Sequence, residues 1–397
     1  MKKDHLNYLI SLETSGIKLG LERTESLMKA CGSPHNSLKC AQIVGTNGKG
    51  SVSAIFANIL KQSSCKVGLY TSPHLTHINE RIRVNGTAIS DDKIVEFINL
   101  FKDDISRLKV SFFEAMTAMA IWYFKNQSVD FAILETGLGG RLDSVSICNP
   151  QIILFTRISL DHQHILGDNL DQIAYEKAGA IKNNSICISY PQKQEVEKVL
   201  NKKAKDTNSS IEYIIDENDQ VNLNGKHQSI NASLAIEAAK KLKGFNVTNN
   251  TIQKGLRTVK WPGRLQKIYE KPTVYFDVAH NEESFFMLCK FVQNLNFKGK
   301  KILIIALQQN KDLGQSIDEI INIFDEIIIT ETKVRNFMST NNLFNILNSQ
   351  NTKMIADPNA AINYVKNLNL NDLCVIAGSH YLGPFISKEF KIYFDNI

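Results

Sequence analysis

The chain has 397 residues, 43% of them hydrophobic and 22% charged, with 46 basic against 40 acidic side chains for a formal net charge of +6. That length exceeds what one hydrophobic core ordinarily serves, so two domains are expected, and the composition excludes a disordered or disulfide-scaffold chain. The small positive excess is spread along the sequence, with no arginine-rich block and no basic stripe interleaved with aromatics; this speaks against nucleic acid as a partner and suits an enzyme with anionic substrates.

The seven cysteines are scattered and never form a CxxC pair, which argues against a disulfide framework or a zinc site. The N-terminal stretch has no signal-peptide apolar run, and nowhere do about 18 apolar residues follow one another. A cytoplasmic protein with no membrane partner is the expectation.

In chain order, short apolar runs alternate with longer amphipathic ones. Strands are expected at Cys40–Val44, Val67–Tyr70, Phe131–Leu134, Ile152–Phe155 and Ile186–Ser189, with helical patterns over Ser51–Gln62, Asp91–Phe101, Glu114–Lys125 and Leu170–Ala178. Such alternation predicts a mostly parallel sheet covered on both faces. The segment 203–225 is polar and poorly periodic and reads as an excursion on this domain. The pattern stops around Trp261-Pro262-Gly263 and restarts with strands near Val274–Phe276, Ile302–Ile305, Glu326–Ile329 and Leu373–Ile376. The expected division falls near residues 256–263, with a larger α/β domain over 1–257 and a smaller α/β domain over 264–397.

The first strand runs into Gly45-Thr46-Asn47-Gly48-Lys49-Gly50-Ser51, followed by a helical pattern. A strand, a glycine-rich turn, a lysine and a helix make a phosphate cradle: backbone N–H groups and the helix N-terminus face the anion. Lys49 can reach the outer phosphates and the Ser51 hydroxyl can ligate Mg²⁺. The spacing departs from the usual P-loop, since Gly50 separates Lys49 from Ser51.

GTNGKGS resembles the nucleotide loop of the Mur ligase superfamily, and within it the chain resembles the folylpolyglutamate synthase/dihydrofolate synthase family. The likeness is carried by the ordered series Lys18–Arg23, Thr71–Leu75 with Asn79–Ile82, Phe112–Glu114 with Thr117-Ala118, Glu135–Asp143, Asp161-His162 with Leu166-Gly167, Glu176–Gly179, Trp261–Gln266 and Phe276–Asn281. The resemblance implies a P-loop nucleotide-binding domain followed by a Rossmann-like α/β domain, with the active site between them. It also implies ATP-dependent ligation of L-glutamate to dihydropteroate or folate through an acyl phosphate. Such chemistry needs positioning and charge stabilisation and no protein nucleophile.

Residue by residue, the resemblance makes Ser51, Glu135 and His162 Mg²⁺ ligands, with His164 close by. Lys177 matches a lysine commonly carbamylated by CO₂, which would hold a second Mg²⁺ and requires a neutral amine. Arg264 and Asp277 match residues that reach ATP from the far side of the cleft, the arginine at the γ-phosphate and the aspartate at the ribose. His280 and Asn281 are expected near the phosphates or the acyl group, and Gln228 and Asn231 beside the adenine. Leu21, Arg23, Ser72, Pro73, His74, Arg81 and Phe113 are the pterin-side candidates; Phe113 reads equally well as core. A monomer is usual in the family.

Departures lie in the second domain: Glu282 stands where a proline often follows AHN, Ala306–Asn310 replaces a Gly-Met start before Lys311-Asp312, and Gly378–Tyr381 is only loosely similar. A UDP-muramoyl amino-acid ligase shares the loop and metal ligands, but those enzymes carry a further domain ahead of the loop, which begins here at Gly45. A nucleotide-binding switch without ligase chemistry leaves the Arg264 and Asp277 motifs unexplained. A dinucleotide oxidoreductase fails because Gly137–Gly140 lacks the full GxGxxG spacing.

Overall fold

The computed structural model describes residues 2–16, 19–215, 220–334, 336–395 and 397, and these form two sheets. The first contains β1 (Cys40–Val44), β2 (Val67–Tyr70), β3 (Ile82–Val84), β4 (Thr87–Ala88), β5 (Phe131–Glu135), β6 (Ile152–Phe155), β7 (Ile186–Ser189) and β8 (Ser210–Tyr213), in the order β4-β3-β2-β5-β1-β6-β7-β8. The second contains β9 (Gln266–Tyr269), β10 (Thr273–Phe276), β11 (Lys301–Ile305), β12 (Glu326–Ile329), β13 (Thr352–Met354) and β14 (Leu373–Ala377), in the order β13-β12-β11-β14-β10-β9. Pairing is parallel except at β2–β3, β3–β4 and β9–β10.

The continuous apolar runs are buried on both faces, as central parallel strands require. Along β11, Ile302 and Ile304 join one core while Leu303 and Ile305 join the other; β14 splits in the same way, Cys374 and Ile376 against Leu373, Val375 and Ala377. Helices begin where the sequence supplies caps. Ser90 accepts from Lys93 N ahead of the helix Asp91–Arg107. Ser111 and Glu114 form a capping box ahead of Phe112–Asn126.

The α/β expectation holds, with one correction. The segment 203–225 is not wholly an excursion: Ser210–Tyr213 forms β8, parallel to β7 at the sheet edge. Its side chains alternate between exposed and half-buried, so it lacks the apolar run of a central strand. Residues 216–219 of that segment, and Lys18 of the Lys18–Arg23 string, lie outside the described residues. Among the described residues no helix is long and apolar enough to cross a membrane, and all seven cysteines are free.

Candidate active site

In the first sheet the C-terminal ends of β1, β5 and β6 lie side at side; in the second, those of β10, β11 and β14 do. Ligands gather at such ends in parallel sheets. A cavity of about 720 Å³ opens between the two sets and is lined by residues from both. It takes in Gly45–Ser51, Ser72, Pro73, Glu135, His162, Lys177, Gln228, Asn231, Arg264, Asp277 and His280. Leu21, Arg23, His74, Arg81 and Phe113 do not line it.

The loop after β1 folds tightly against the loop after β6. Thr46 N donates to Arg157 O at 2.8 Å, and the Thr46 hydroxyl bridges Ser159 O and Ser159 N at 3.1 Å each. A Cβ at Gly45, whose φ is +154°, would collide with the Thr156 hydroxyl, so this crossing needs glycine. Gly48, at φ +89°, caps the helix Lys49–Gln62. Lys49 Nζ donates back to Gly45 O and Thr46 O at 3.1 and 3.0 Å. Burial lowers its pKa, while the neighbouring carboxylates of Glu135 and Asp161 pull the other way.

Lys177 lies in the last turn of the helix Leu170–Ala178 and is buried, its Nζ donating to Gly45 O at 2.7 Å. Gly140 permits this placement, because a Cβ there would lie 2.6 Å from Lys177 O. Burial, and then the nearby charge of Lys49, bring the Lys177 amine down to about 7. Glu135 closes β5 with Oε2 accepting from Ser72 N at 3.0 Å; burial raises its pKa against the pull of Lys49. Ser51 is 1% exposed, and among the described residues its hydroxyl has no partner. Among the described residues no group of three or more His, Cys, Asp or Glu gathers to hold a metal.

His162 adopts φ +51°, and its ring lies 6.2 Å from that of His164. Burial holds its imidazole down to about 4, with Asp161 opposing. Asp161 pairs with Lys311 of the second sheet's unit at 2.7 Å. Burial disfavours its charged form, yet His162 and Lys311 together keep the carboxyl below its usual range. Gln228 accepts from Asn231 Nδ2 at 3.0 Å, so the two amides orient one another beside Gly48.

From the second sheet, Asp277 accepts from Leu265 N and Ala279 N, both at 2.7 Å. Its carboxylate thus ties down the turn that presents Arg264, which donates to Gly263 O at 3.0 Å and is otherwise aimed at the cavity. Burial lowers the Arg264 pKa against the pull of Asp277 and Glu135. His280 shares Nδ1 with Val278 O at 2.8 Å, and burial with Lys311 holds its imidazole down to about 4.

The remaining candidates form a shell beside the cavity. Glu80 accepts from Leu75 N, Thr76 N and His77 N and so fixes the loop carrying Ser72–His74. Arg81 donates to His74 Nδ1 at 2.9 Å and lies over the Phe112 ring. Phe113 packs on Tyr70 and against Gly137. Leu21 caps the helix Glu22–Ala30, and the Nε of Arg23 is engaged by Glu114 at 3.0 Å.

Sequence reasoning did not single out Glu283, Arg157, Tyr190, Asp161 and His380 as site residues, although all line the cavity, nor Lys311, which pairs with Asp161. Asp161 and His380 stood inside quoted strings; Arg157 and Tyr190 follow β6 and β7, where a strand-end rule would have flagged them. Glu283 carried no local signal.

Residues 263–380 match the family model of the Mur ligase glutamate ligase domain. The chain is 30% identical to the dihydrofolate synthase/folylpolyglutamate synthase of Bacillus subtilis, over 95% of this chain and 96% of that one. It superposes on the E. coli FolC structure in complex with DHPP and ADP with a TM-score of 0.88 at 26% identity, covering 98% and 97% of the two chains. The fold is shared with Mycobacterium tuberculosis folylpolyglutamate synthase complexed with ADP and AMPPCP, at a TM-score of 0.91, 24% identity and coverage of 99% and 100%. The chain therefore belongs to the dihydrofolate synthase/folylpolyglutamate synthase family of Mur-type ligases, and it is an ATP-dependent ligase of folate metabolism.

Proposed function

We propose that this protein joins L-glutamate both to dihydropteroate and to folate chains, through an acyl phosphate, releasing ADP and phosphate. One observation carries the reading: the phosphate loop with its Lys49, Glu135 and Lys177 of the first unit, and Arg264 of the second, line one cavity from opposite sides. The B. subtilis relative carries both activities in its name. The proposed division is 1–257 for ATP and the pterin and 264–397 for glutamate, in a cytoplasmic monomer.

The acceptor carboxylate attacks the γ-phosphorus of ATP, the β–γ bond breaks, and ADP leaves. The glutamate amine then attacks the acyl carbon and the C–O bond to phosphate breaks. Lys49 and Arg264 hold cationic charge against the transferring phosphoryl group from two directions. Gln228 and Asn231 offer paired amides to the adenine. Asp277 keeps lone pairs free for the ribose hydroxyls beyond its two backbone bonds. On the acceptor side, Ser72 and Pro73 line the cavity where a pterin and its carboxylate would lie, and His74, Arg81, Phe113, Leu21 and Arg23 back them from the shell beside it.

His280 can take the amine's proton. Its Nδ1 faces a carbonyl that can only accept, so Nδ1 carries the hydrogen, and the neutral ring leaves Nε2 as the acceptor. Closure of the two units excludes water from the acyl phosphate.

Mg²⁺ fits the residues present. The orphaned Ser51 hydroxyl, the buried Glu135 carboxylate and His162 would hold one ion, completed by phosphate oxygens, as a cation without an all-protein cage requires. Lys177, buried with a pKa near neutrality, fits carbamylation: the neutral amine adds CO₂, forming an N–C bond and releasing a proton, and the resulting anion would hold a second Mg²⁺. When bound, the ions neutralise charge on the transferring phosphoryl group.

The test is product analysis with ATP, Mg²⁺ and L-glutamate, offering dihydropteroate and tetrahydrofolate separately. Glutamyl conjugates from both acceptors are expected. A conjugate from tetrahydrofolate alone removes the dihydrofolate synthase half, and none from either overturns the reading.

A further inference from the structure

Several of the contacts that join the two units meet on one side chain. Glu283 stands in the first turn of the helix Glu282–Gln293, on the second sheet's side of the cavity. Its Oε2 accepts from Asn47 Nδ2 at 2.8 Å and from the Ser159 hydroxyl, and its Oε1 accepts from Arg157 at 2.8 Å. All three donors belong to the first unit, and Asn47 lies in the phosphate loop itself. Arg157 is held in turn by Tyr190, whose hydroxyl accepts at 3.0 Å and whose ring lies 5.0 Å beneath the guanidinium.

These contacts reach into the loop through Asn47. Asn47 Oδ1 accepts from Asn281 Nδ2 at 3.1 Å, and Asn47 Nδ2 is shared between Asn281 Oδ1 at 3.4 Å and Glu283. Both ends of the Asn47 amide are thus set by the helix across the cavity. The backbone carbonyl of Arg157 receives Thr46 N and Asn47 N, so the residue whose side chain Glu283 grips also shapes the loop's backbone.

We propose that Glu283 is a positioning residue for nucleotide binding: a carboxylate of the second unit that orients Asn47 and Arg157 and so holds the phosphate loop in its binding shape before the nucleotide arrives. An acidic residue at a helix start ordinarily complements the helix dipole. Asn281 and Ser284 already cap this helix, and a dipole role does not call for three donors from another unit. A carboxylate beside a phosphate loop also repels the ligand unless it is neutralised, and Arg157 supplies that charge. Removing the carboxylate lowers the fraction of protein in the competent arrangement and weakens apparent affinity by the same factor.

The inference rests on the reading of this cavity as the nucleotide site, and its test uses ADP binding so that ligase activity is not needed. In the full chain, Glu283→Ala is expected to weaken the calorimetric Kd for ADP about tenfold, and Glu283→Gln, which keeps an acceptor but not the charge, about threefold. In turnover, the KM for ATP rises in parallel while kcat changes by less than about threefold, because loop preorganisation acts on binding. ADP binding that tracks this series without any glutamate ligation would overturn the proposed reaction and support the positioning role. Unchanged ADP affinity in Glu283→Gln, or in a folded Glu283→Ala whose only defect is a lower Tm, would reduce Glu283 to a helix-end acid and overturn it.

Discussion

Replacing Lys177 with methionine is expected to lower ligation about a thousandfold or more, the scale of losing a fixed charge at a phosphoryl-transfer centre, while raising thermal stability at neutral pH. The two effects share one cause. Lys177 is 5% exposed, and its amine donates to Gly45 O with Lys49 as a neighbouring like charge. Its amine titrates at about 7 in the folded chain, against about 10.4 in an unfolded one. Between those values the unfolded state binds more protons, so this group makes stability rise with pH across that window, and its burial penalty is at full size below about 7. Methionine keeps the apolar stem and removes the penalty. The neutral amine is also the form that adds CO₂, so wild-type activity is expected to rise through pH 7 and to respond to bicarbonate, with the methionine variant indifferent to it. Carbon-13 NMR of protein equilibrated with labelled bicarbonate checks the adduct directly. A folded Lys177→Met protein with near-normal kcat would refute the role.

Arg264→Ala is expected to lower kcat about a thousandfold with a smaller change in the KM for ATP, the pattern of a charge that acts chiefly in the transition state. Arg264 is fixed by a short chain of causes. Gly263, at φ +70°, opens the turn, Asp277 binds Leu265 N just after it, and β10 carries Asp277 at the sheet's C-terminal edge. Because the guanidinium is poised at buried Glu135 and Asp277, Arg264→Lys keeps the charge but loses the planar fork and is expected to recover only about a tenth of the lost activity or less. Stopped-flow ADP formation separates this from slow product release. Full activity in Arg264→Lys would mean that any cation suffices there, and full activity in Arg264→Ala would remove the second unit from the chemistry.

Legibility in the sequence followed burial. Strands β1, β2, β6, β7 and β12 are short apolar runs, and their limits in the fold coincide with those read from pattern alone. The strands with no such signal are β3, β4, β8, β9 and β13. Gln266–Tyr269 and Thr352–Met354 lie at sheet edges with much of their surface exposed, so their pairing is set by a neighbour's backbone more than by their own side chains. Helix starts came late by two residues at Lys49 and at Phe112, because Lys49, Gly50, Phe112 and Phe113 resemble loop or strand residues until the cap ahead of them is recognised.

At the site, Gly45–Ser51 was readable because its chemistry is contiguous. The pairings of Asp161 with Lys311 and of Glu283 with Asn47 and Arg157 join residues 150, 236 and 126 positions apart, and no local pattern announces them. Glu282 illustrates the same point: where the family often places proline, its carboxylate accepts from Gln315 N at 2.7 Å and so holds the loop that carries Lys311. Arg23 shows the converse, a residue inside a telling string whose Nε is engaged by Glu114.

The reaction proposed for this cavity turns the acceptor's carboxylate into an acyl phosphate. The direct measurement is turnover with the acceptor carboxylate labelled with oxygen-18, followed by mass analysis of the phosphate released. One labelled oxygen is expected in each phosphate formed, carried across when the glutamate amine displaces it. Glutamyl product formed with unlabelled phosphate would contradict it, because the carboxylate oxygen would then never have bonded to phosphorus.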